Sequence, residues 1–309
     1  MMKAVRIAAY QAQPTLTDVP VPQAGTGQVI VRVAATALNP LDIKLQQGMM
    51  HDFFPLAFPY TLGTDFVGTI DSIGAEVAGW TIGDRVVART DPPQGGALAA
   101  FAPVPAHHLA KLPSTVAIND AAGVPTAAGT AYQTLFEVAG LRPGQTVLVH
   151  AGAGGVGSFA IQLARNAGAR VIATASGAGL EIARRLGANQ VIDYKGQPFE
   201  DAVSDVDVVL DTIGGDTQQR SFGVLRAGGY LAATTSPPDE SLAKAHGVSA
   251  SFVFHQSDAA RLEKIIAMID AGTLRTLIDR IVPLDQAGDA FAYQAAGHAK
   301  GKIIVQMVQ

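Results

Sequence analysis

A glycine-rich turn between an apolar run and an amphipathic run constrains the fold of this chain more than any other feature. Thr146–His150 (TVLVH) is a continuous apolar run of the kind found in buried strands, and Val156–Asn166 repeats its apolar residues with helical spacing. The segment between them, Ala151–Gly157, contains the spacing Gly-x-Gly-x-x-Gly. A strand, a glycine turn and a helix in this order predict the phosphate-binding turn of a dinucleotide-binding fold.

Each glycine of this turn has a physical role. Gly152 permits the tight reversal from strand to helix, Gly154 lets the backbone approach a pyrophosphate, and Gly157 lets the helix pack closely against the strand. The helix N-terminus supplies unpaired N–H groups and a partial positive charge, which favour an anion. The predicted cofactor-binding residues of the turn are Gly152, Ala153, Gly154, Gly155, Val156 and Gly157.

Strands and helices alternate around the turn, from about Asn119 to His255. Apolar strands that alternate with amphipathic helices predict a parallel sheet covered on both faces, here a doubly wound sheet of six strands. A helix is expected over Thr126–Val138, preceded by a shorter helix that Asn119 caps. The other predicted elements are strands at Arg170–Thr174, Gln190–Asp193, Val206–Asp211, Gly229–Thr234 and Ala250–Phe254, and helices at Leu180–Leu186 and Thr217–Leu225.

The N-terminal third has the short strands and the Gly and Pro turns of a compact β-rich domain. With 309 residues, the chain is long enough for two domains. Periodicity alone leaves open whether the tail extends the α/β region or returns to the first domain. Strands are predicted at Gln28–Ala35, Phe66–Ile73, Asp84–Ala88, Arg280–Pro283 and Lys302–Met307, and tail helices at Asp258–Ala271 and Ala287–Ala296.

Composition and charge exclude several classes of function. With 22 basic and 26 acidic residues, the net charge is −4, and no basic run offers a surface for nucleic acid. The absence of cysteine excludes disulfides, thiolate nucleophiles and Cys-ligated zinc. No stretch has the roughly 20 apolar residues of a membrane span, and Lys3 and Arg6 interrupt the first apolar run. We therefore expect a soluble, cytoplasmic protein that is not associated with a membrane.

The end of the second α/β strand points to NADP(H) as the cofactor. NAD-binding folds usually carry an acidic residue there for the ribose 2′-hydroxyl, whereas this strand ends Thr174-Ala175-Ser176-Gly177. Ser176 can hydrogen-bond a 2′-phosphate, and arginines in the next helix can supply positive charge. The residues predicted to bind this end of the cofactor are Thr174, Ser176, Arg184 and Tyr194.

A series of motifs in order along the chain resembles the zinc-independent quinone oxidoreductase branch of the medium-chain dehydrogenase/reductase family. The matching segments are Asn39–Lys44 (NPLDIK), Leu62–Gly68 (LGTDFVG), Gly83–Val86 (GDRV), Ala151–Gly157, Val191–Tyr194 (VIDY) and Gly301-Lys302. The resemblance implies an α/β protein with a GroES-like β-rich catalytic domain at residues 1–118 and 256–309. A Rossmann domain with a six-stranded parallel sheet would then span residues 119–255. The resemblance also implies a homodimer, paired through the edge strand Ala250–Phe254.

The chain departs from the zinc-dependent branch of that family at the positions of the metal ligands. That branch has a Cys near Asn39–Asp42 and a Gly-His-Glu where this chain has Gly63-Thr64-Asp65. The adjacent His107 and His108 would point to opposite faces of a strand, so they form no ligand pair. No metal site is therefore expected, and a metal-dependent alcohol dehydrogenase is disfavoured, because no Lewis acid would stabilise an alkoxide.

The working prediction is direct hydride transfer from NADPH to a quinone or a similar α,β-unsaturated carbonyl. The resemblance places Asn39 and Thr130 near the nicotinamide. Thr234 and Thr235 follow the fifth strand at its ligand-binding edge. Lys44 and Tyr60 are the candidate catalytic groups, as proton donors to a developing oxyanion. The backbone of Phe252 and Phe254 is a further candidate contact to the cofactor carboxamide.

Two other functions stay open at this point. An alkenal or enone reductase of the same architecture differs only in its acceptor. A protein that senses NADPH without turnover is compatible with an intact glycine turn and no indispensable catalytic side chain.

Overall fold

A computed structural model describes residues 1–307 of the chain. The chain divides into two compact units. The first comprises Met1–Thr126 together with the tail from Ser257 onward, and the second comprises Ala127–Gln256. None of the helices within residues 1–307 is both long and apolar enough to cross a membrane.

The N-terminal segment consists mainly of strands, as its Gly- and Pro-rich sequence predicts, and it also contains a helix at Pro40–Gln46 that the sequence does not predict. Its elements are β1 (Met2–Ile7), β2 (Thr15–Val19), β3 (Gln28–Leu38), α1 (Pro40–Gln46), β4 (Tyr60–Thr61), β5 (Asp65–Ile73), β6 (Arg85–Arg89), β7 (Phe101–Pro105), β8 (Ala110–Lys111) and α2 (Ile118–Ala122).

The middle segment alternates strands and helices, which confirms the predicted α/β pattern. It begins with α3 (Pro125–Tyr132), which continues into a π-helical turn at Gln133–Val138. The elements that follow are β9 (Thr146–Val149), α4 (Gly155–Asn166), β10 (Arg170–Ala175), α5 (Gly179–Leu186), β11 (Gln190–Asp193), β12 (Val206–Asp211), α6 (Gly215–Ser221), β13 (Leu225–Ala233), α7 (Glu240–Ala245) and β14 (Ser249–Phe252).

The tail adds two helices and two strands, all four of which the sequence predicts. They are α8 (Ala259–Asp270), β15 (Ile278–Pro283), α9 (Ala287–Ala295) and β16 (Lys302–Gln306). Strand β16 pairs antiparallel with β3, from Ile303 opposite Leu38 to Gln306 opposite Ala35. The tail therefore returns to the N-terminal sheet, as the family resemblance implies.

Two sheets form the first unit. The larger sheet runs β15-β16-β3-β5-β6-β8, and β7 also pairs with β3; the smaller runs β2-β1-β4. One core cluster is built from side chains of the larger sheet and includes Val31, Phe66 and Val86. A second cluster joins Leu38 and Ile303 of that sheet to Phe291 of α9. Burial of this apolar surface, at about 25 cal/mol per Å², stabilises the β-rich unit.

The second unit contains the predicted doubly wound sheet. Its six strands run in the order β11-β10-β9-β12-β13-β14, and every neighbouring pair is parallel. Numbered by their order along the chain, the strands run 3-2-1-4-5-6, with the reversal between β9 and β12. In such sheets ligands bind at the carboxyl ends of the strands beside the reversal, and the glycine turn follows β9 at that edge.

The strand predicted at Gln28–Ala35 continues to Leu38, and the strand predicted at Ala250–Phe254 ends at Phe252. Two further predicted boundaries are wrong for a physical reason. Asn119 does not cap α2, because Ala117 is the N-cap and the Asn119 side chain instead accepts a hydrogen bond from Gln306 at 3.0 Å. Strand β13 begins at Leu225 rather than Gly229, so the helix predicted to reach Leu225 is shorter. The register of β13 against β12 shifts between Leu225 and Tyr230, and Gly228 lies in the left-handed region at φ +72°. Such an irregularity hides the start of a strand from a search for period-two alternation.

Candidate cofactor site and active-site residues

The glycine turn lies between the end of β9 and the start of α4, with Gly154 as the N-cap of the helix. Backbone and side-chain bonds fasten it to β10. The amide of Gly152 donates to the carbonyl of Thr174 at 2.8 Å, and the amide of Ala151 donates to the Thr174 hydroxyl at 3.2 Å. The start of the turn is therefore held in place by a single residue of the neighbouring strand.

Two of the three motif glycines are required by close packing, Gly157 within the turn and Gly152 against β10 and α4. A Cβ atom on Gly157 would lie 2.2 Å from the carbonyl oxygen of Ala151, which is far inside van der Waals contact. A Cβ on Gly152 would lie 2.9 Å from side-chain atoms of both Ala173 and Ile161. These contacts bring α4 close to the strand end, as the motif predicts.

Gly154 faces a different environment. A Cβ at this position would meet only Ala151, whose oxygen would lie 3.2 Å away. No side chain caps α4, and Ala153, Gly155 and Val156 are half-buried. The first N–H groups of the helix are therefore available, and the backbone has room for an anion beside it. This arrangement fits the pyrophosphate of a dinucleotide.

Ser176 and Tyr194 meet beyond the carboxyl ends of β10 and β11. The Ser176 hydroxyl donates to the Tyr194 hydroxyl at 3.0 Å, and Tyr194 is 54% exposed. The parallel register, which pairs Ala175 with Asp193, explains why residues 18 positions apart lie side by side. Two hydroxyls at this edge can hydrogen-bond a ligand from the solvent side.

The two other predicted residues of this region differ in their exposure. Arg184 is exposed on α5, where its guanidinium lies 3.7 Å from the Glu181 carboxylate. Thr174 is buried, and its hydroxyl bonds the Ala151 amide and the His150 ring. Thr174 thus contacts the turn, and its side chain points into the protein rather than to the solvent.

His150 is a buried polar residue that the sequence analysis did not single out. It ends the apolar run before the turn, is 1% exposed, and lies with Nδ1 3.1 Å from Thr174 Oγ1 and Nε2 2.9 Å from Ser221 Oγ. Burial lowers the pKa of His150 to about 4, and the charge of Arg220 adds to this, while Asp211 and Glu200 oppose it. The imidazole is therefore neutral near pH 7.

Asp211, at the end of β12, organises the next turn of the ligand-binding edge. Its buried carboxylate accepts hydrogen bonds from the amides of Ile213 and Gly214 and from the side chain of Gln218, at 2.9–3.2 Å. Gly214 adopts φ +78°. Carboxylate bonds to successive N–H groups fix the turn after β12 beside the turn after β9. An Asp that ends an apolar strand three residues before a Gly was the available sequence signal.

The residues after β13 carry one orphan polar atom. Thr234 is bonded to Asp211, through its amide at 2.9 Å and its hydroxyl at 3.3 Å. The Thr235 hydroxyl is buried and has no hydrogen-bond partner among residues 1–307. It lies against Gly214, where a Cβ would be 2.7 Å from Thr235 Oγ1. A buried hydroxyl without a partner at a ligand-binding edge fits a polar group of a ligand.

Three further predicted contacts lie in the second unit. Thr130 is buried on α3 beside Gly129, which packs so closely on His255 that an added Cβ would be 2.4 Å from the imidazole. Phe252 ends β14 with its ring 40% exposed, and Phe254 is half-buried just beyond the strand. Phe252 thus ends an edge strand at the carboxyl edge of the parallel sheet.

Asn39 lies in a buried polar cluster of the first unit. Its side-chain nitrogen donates to Asp65 at 3.0 Å and more weakly to the carbonyl of Ala37, and its side-chain oxygen accepts from the Lys302 ammonium. Its backbone amide donates to Asp42 at 2.7 Å. The side-chain oxygen of Asn39 therefore keeps only one lone pair with which to accept a hydrogen bond from any other partner.

The cluster around Asn39 holds two acids and two bases away from water. Asp42, Asp65, Arg89 and Lys302 are all buried. Burial raises the pKa of Asp42 to about 7, and the nearby charge of Asp65 adds to this. Burial also lowers the pKa of Lys302 and of Arg89, while the two carboxylates oppose it. The sequence analysis missed this cluster because its members come from four separate elements.

The two candidate proton donors have different surroundings. Lys44 is half-buried on α1, and the buried carboxylates of Asp42 and Asp65 face Lys302 rather than Lys44. Tyr60 is 3% exposed and its hydroxyl donates to the carbonyl of Pro92 at 2.6 Å. Burial raises the pKa of Tyr60 far above its usual value. The Tyr60 proton is therefore held inside the protein.

Within residues 1–307, no group of three or more His, Cys, Asp or Glu side chains could hold a metal ion. His107 and His108 lie on a 3₁₀ turn, Ala106–His108, with their rings 4.3 Å apart and edge to face. The predicted placement on opposite faces of a strand is therefore wrong, because the strand β7 ends at Pro105.

Comparison with known proteins identifies the family. A family model described as the alcohol dehydrogenase GroES-like domain matches residues 25–114, and one described as zinc-binding dehydrogenase matches residues 186–305. The chloroplast envelope quinone oxidoreductase homolog of Arabidopsis thaliana is 34% identical, over 94% of this chain and 92% of that protein. The chain belongs to the medium-chain dehydrogenase/reductase family.

Two further comparisons describe this medium-chain dehydrogenase/reductase more closely. A chloroplastic NADPH-dependent alkenal/one oxidoreductase of Arabidopsis thaliana is 34% identical, over 94% of this chain and 74% of that protein. The structure of the quinone oxidoreductase from Coxiella burnetii superposes with a TM-score of 0.92 at 30% identity, covering 100% of this chain and 99% of that one. The protein is thus an oxidoreductase.

Proposed function

We propose that this oxidoreductase transfers a hydride from NADPH to a quinone or a similar α,β-unsaturated carbonyl, without zinc. The observation that carries the proposal is the pair of hydroxyls of Ser176 and Tyr194, on the same sheet edge as the uncapped N-terminus of α4. This edge offers hydrogen bonds to a 2′-phosphate where NAD-specific folds place a carboxylate. The relatives named as quinone oxidoreductase and as NADPH-dependent alkenal/one oxidoreductase support it.

In this proposal the glycine turn binds the pyrophosphate. Gly152–Gly157 would present the N–H groups of α4 to it, and Gly154 would let the backbone approach. Ser176 and Tyr194 would hydrogen-bond the 2′-phosphate, and Arg184 would supply positive charge from α5. Thr174 would act by holding the turn, since its side chain points inward.

The nicotinamide end is proposed to contact Thr130, Thr234, Thr235, Phe252 and Phe254. The orphan Thr235 hydroxyl would gain a partner in the bound state. When bound, the nicotinamide would supply a hydride from its C4. Asn39 is also proposed as a contact, and it would accept through its remaining lone pair. Together, these residues would orient the nicotinamide ring and exclude water from it.

Lys44 is the preferred proton donor of the two candidates. Its ammonium would stabilise the oxyanion that develops on the reduced acceptor and would deliver a proton to it. Tyr60 is less suited, because its proton is bound by the carbonyl of Pro92 and its ionisation is opposed by burial. Tyr60 stays a proposal for acceptor polarisation.

The absence of cysteine and the residues at Asn39, Thr64 and Asp65 support a reaction without zinc. The Asp65 carboxylate is occupied by Asn39 and by the backbone of Thr126 at 3.0 and 3.1 Å. The buried Lys302 ammonium, 3.9 Å from Asp65, supplies a positive charge to this cluster. These contacts satisfy the carboxylate without a metal ion.

The organisation of the molecule is proposed from the same resemblance. Residues 1–118 and 256–309 would form the catalytic domain, and residues 119–255 the NADP-binding domain. A homodimer would form through the edge strand β14, whose outer side has no strand beside it among the described residues. A cytoplasmic location stays a prediction of the sequence. Light scattering on a size-exclusion column would test the dimer.

A panel of acceptors tests the proposed function. NADPH oxidation would be followed at 340 nm with 1,4-benzoquinone, a 2-alkenal and a simple aldehyde, with chelator present. The proposal expects turnover of the quinone or the alkenal and none of the aldehyde. Turnover of the alkenal alone would assign the enone-reductase function. Tight NADPH binding without turnover of any acceptor would refute the proposal.

A further inference from the structure

We propose that His150 is a positioning residue for the dinucleotide: it fixes the Thr174 hydroxyl, which in turn holds the start of the phosphate-binding turn. This inference rests on the proposed NADPH-dependent function and adds to it a residue that never touches the cofactor. All of its members lie in the second unit, at the carboxyl ends of β9 and β10 and on α6.

The hydrogen bonds of Ser221 determine the tautomer of His150. The Ser221 hydroxyl has a single proton, which it donates to the carbonyl of Thr217 at 2.6 Å. Ser221 Oγ must therefore accept from Nε2 of His150, 2.9 Å away, so the imidazole carries its proton on Nε2. Its Nδ1 is then an acceptor, which leaves the Thr174 hydroxyl as the donor at 3.1 Å.

This assignment orients the Thr174 hydroxyl. Because its proton points to His150, its oxygen lone pairs are left for the Ala151 amide, 3.2 Å away. Ala151 adopts φ +51°, a conformation that L-residues rarely take, so this residue needs such support. A chain of bonds thus runs from α6 through His150 and Thr174 to the first residue of the turn.

The surroundings keep the chain of bonds intact. His150 packs edge to face on Phe199, with ring centroids 4.8 Å apart, and its carbonyl accepts from Thr212 at 3.0 Å. Burial keeps the imidazole neutral at pH 7. A neutral, buried histidine of fixed tautomer serves as a rigid spacer with one donor and one acceptor.

Two amide substitutions separate the two bonds of His150. The side-chain oxygen of Asn can take the place of Nδ1 and keep the bond from Thr174, whereas the side-chain nitrogen of Gln can take the place of Nε2 and keep the bond to Ser221. The inference expects the dissociation constant of NADPH to rise about tenfold in His150→Gln and only two- to threefold in His150→Asn. Thr174→Val should raise the dissociation constant of NADPH as much as His150→Gln does. Thr174→Ser keeps the hydroxyl, so it should retain most of the affinity for NADPH that Thr174→Val loses.

The same four variants give a KM-against-kcat split and a double-mutant cycle. The KM for NADPH should follow the dissociation constant, while kcat at saturating NADPH stays within about twofold of the wild type. The double variant His150→Gln, Thr174→Val should lose little more affinity for NADPH than either single variant, because both substitutions break the same chain of hydrogen bonds to Ala151. Thermal midpoints of all variants separate this result from general destabilisation.

Amide hydrogen exchange of Ala151 in the protein without cofactor gives a readout that does not need NADPH. Exchange should be faster in Thr174→Val and His150→Gln than in His150→Asn. Equal affinities in the two His150 variants, or affinities that follow only the thermal midpoints, would overturn the inference. If the wild type bound neither NADPH nor NADH, the proposed function would fall, and the Ala151 exchange would still decide whether His150 holds the turn.

Discussion

The Ser176 hydroxyl donates a hydrogen bond to the Tyr194 hydroxyl at 3.0 Å, just beyond the ends of two neighbouring parallel strands. Neither residue is acidic, so the 2′-phosphate that we propose for this edge would meet hydroxyls instead of a carboxylate. The pair therefore accounts for the expected preference for NADPH over NADH.

Changing Ser176 should change the cofactor preference. Ser176→Asp places a carboxylate where the 2′-phosphate is expected, so kcat/KM for NADPH should fall by at least about tenfold while that for NADH stays or rises. Ser176→Ala should lower only the NADPH value, by about tenfold, which corresponds to a lost hydrogen bond to a charged group. Ser204→Ala, in an exposed loop of the same unit, is the control. Unchanged ratios in Ser176→Asp would show that the phosphate lies elsewhere.

The glycine turn offers a matched set of alanine substitutions. Gly157→Ala should destabilise the protein by about 1–3 kcal/mol and weaken NADPH binding, because the new Cβ meets the Ala151 carbonyl at 2.2 Å. Gly154→Ala should change the thermal midpoint less and still weaken NADPH binding, because it fills the side of the turn that faces the anion. At Gly223 nothing lies within 4 Å of an added Cβ, so Gly223→Ala is the control. Calorimetric titration with NADPH measures the affinities; tight binding by Gly154→Ala would contradict the proposed pyrophosphate position.

Lys44 should matter for turnover more than Tyr60 does. A general acid contributes about 10²–10⁴-fold, so Lys44→Ala should lower kcat by at least about tenfold even if solvent takes over part of the proton delivery. Lys264→Ala, exposed on α8, should leave kcat unchanged. Tyr60→Phe should lower kcat by less than Lys44→Ala does, and it should lose about 1 kcal/mol of stability with the bond to Pro92. A Lys44→Ala variant with full kcat and an intact fold would remove Lys44 from the mechanism.

The buried Asp42 should make stability depend on pH in a defined direction. Because the pKa of Asp42 rises from 3.8 to about 7 on folding, its protonated form is favoured in the folded state. Its contribution to stability is present below pH 3.8 and is lost as the pH rises through 7, by about 4 kcal/mol at most. In urea unfolding between pH 4 and 8, the wild type should therefore lose stability relative to Asp42→Asn as the pH rises. The stability of the exposed Asp52→Asn variant should depend on pH as that of the wild type does. The same pH dependence in Asp42→Asn would contradict this prediction.

Much of the second unit follows from the sequence because its signals are local. The strand, turn and helix around Gly152–Gly157 are each contiguous, and the observed bounds lie within about one residue of the predicted ones. The meeting of Ser176 and Tyr194 also follows, since successive parallel strands end at the same edge.

The parts that sequence reasoning missed depend on contacts between distant residues. His150 reads as the end of an apolar run, and its partners Thr174 and Ser221 are 24 and 71 positions away. Lys302 reaches Asn39 across 263 positions. Asn119 has the right side chain for a helix cap, yet Gln306 binds it, because strand β16 returns to the first sheet. Tertiary contacts of this kind override local preference.

We propose that this oxidoreductase uses NADPH and needs no metal ion. The most direct test is kcat/KM for NADPH and for NADH, measured with the best acceptor on enzyme dialysed against a chelator, before and after Zn²⁺ is added. We expect kcat/KM for NADPH to be at least about tenfold above that for NADH and to be unchanged by the chelator or by Zn²⁺. Equal values for the two cofactors, or activity that disappears on dialysis and returns with Zn²⁺, would contradict it.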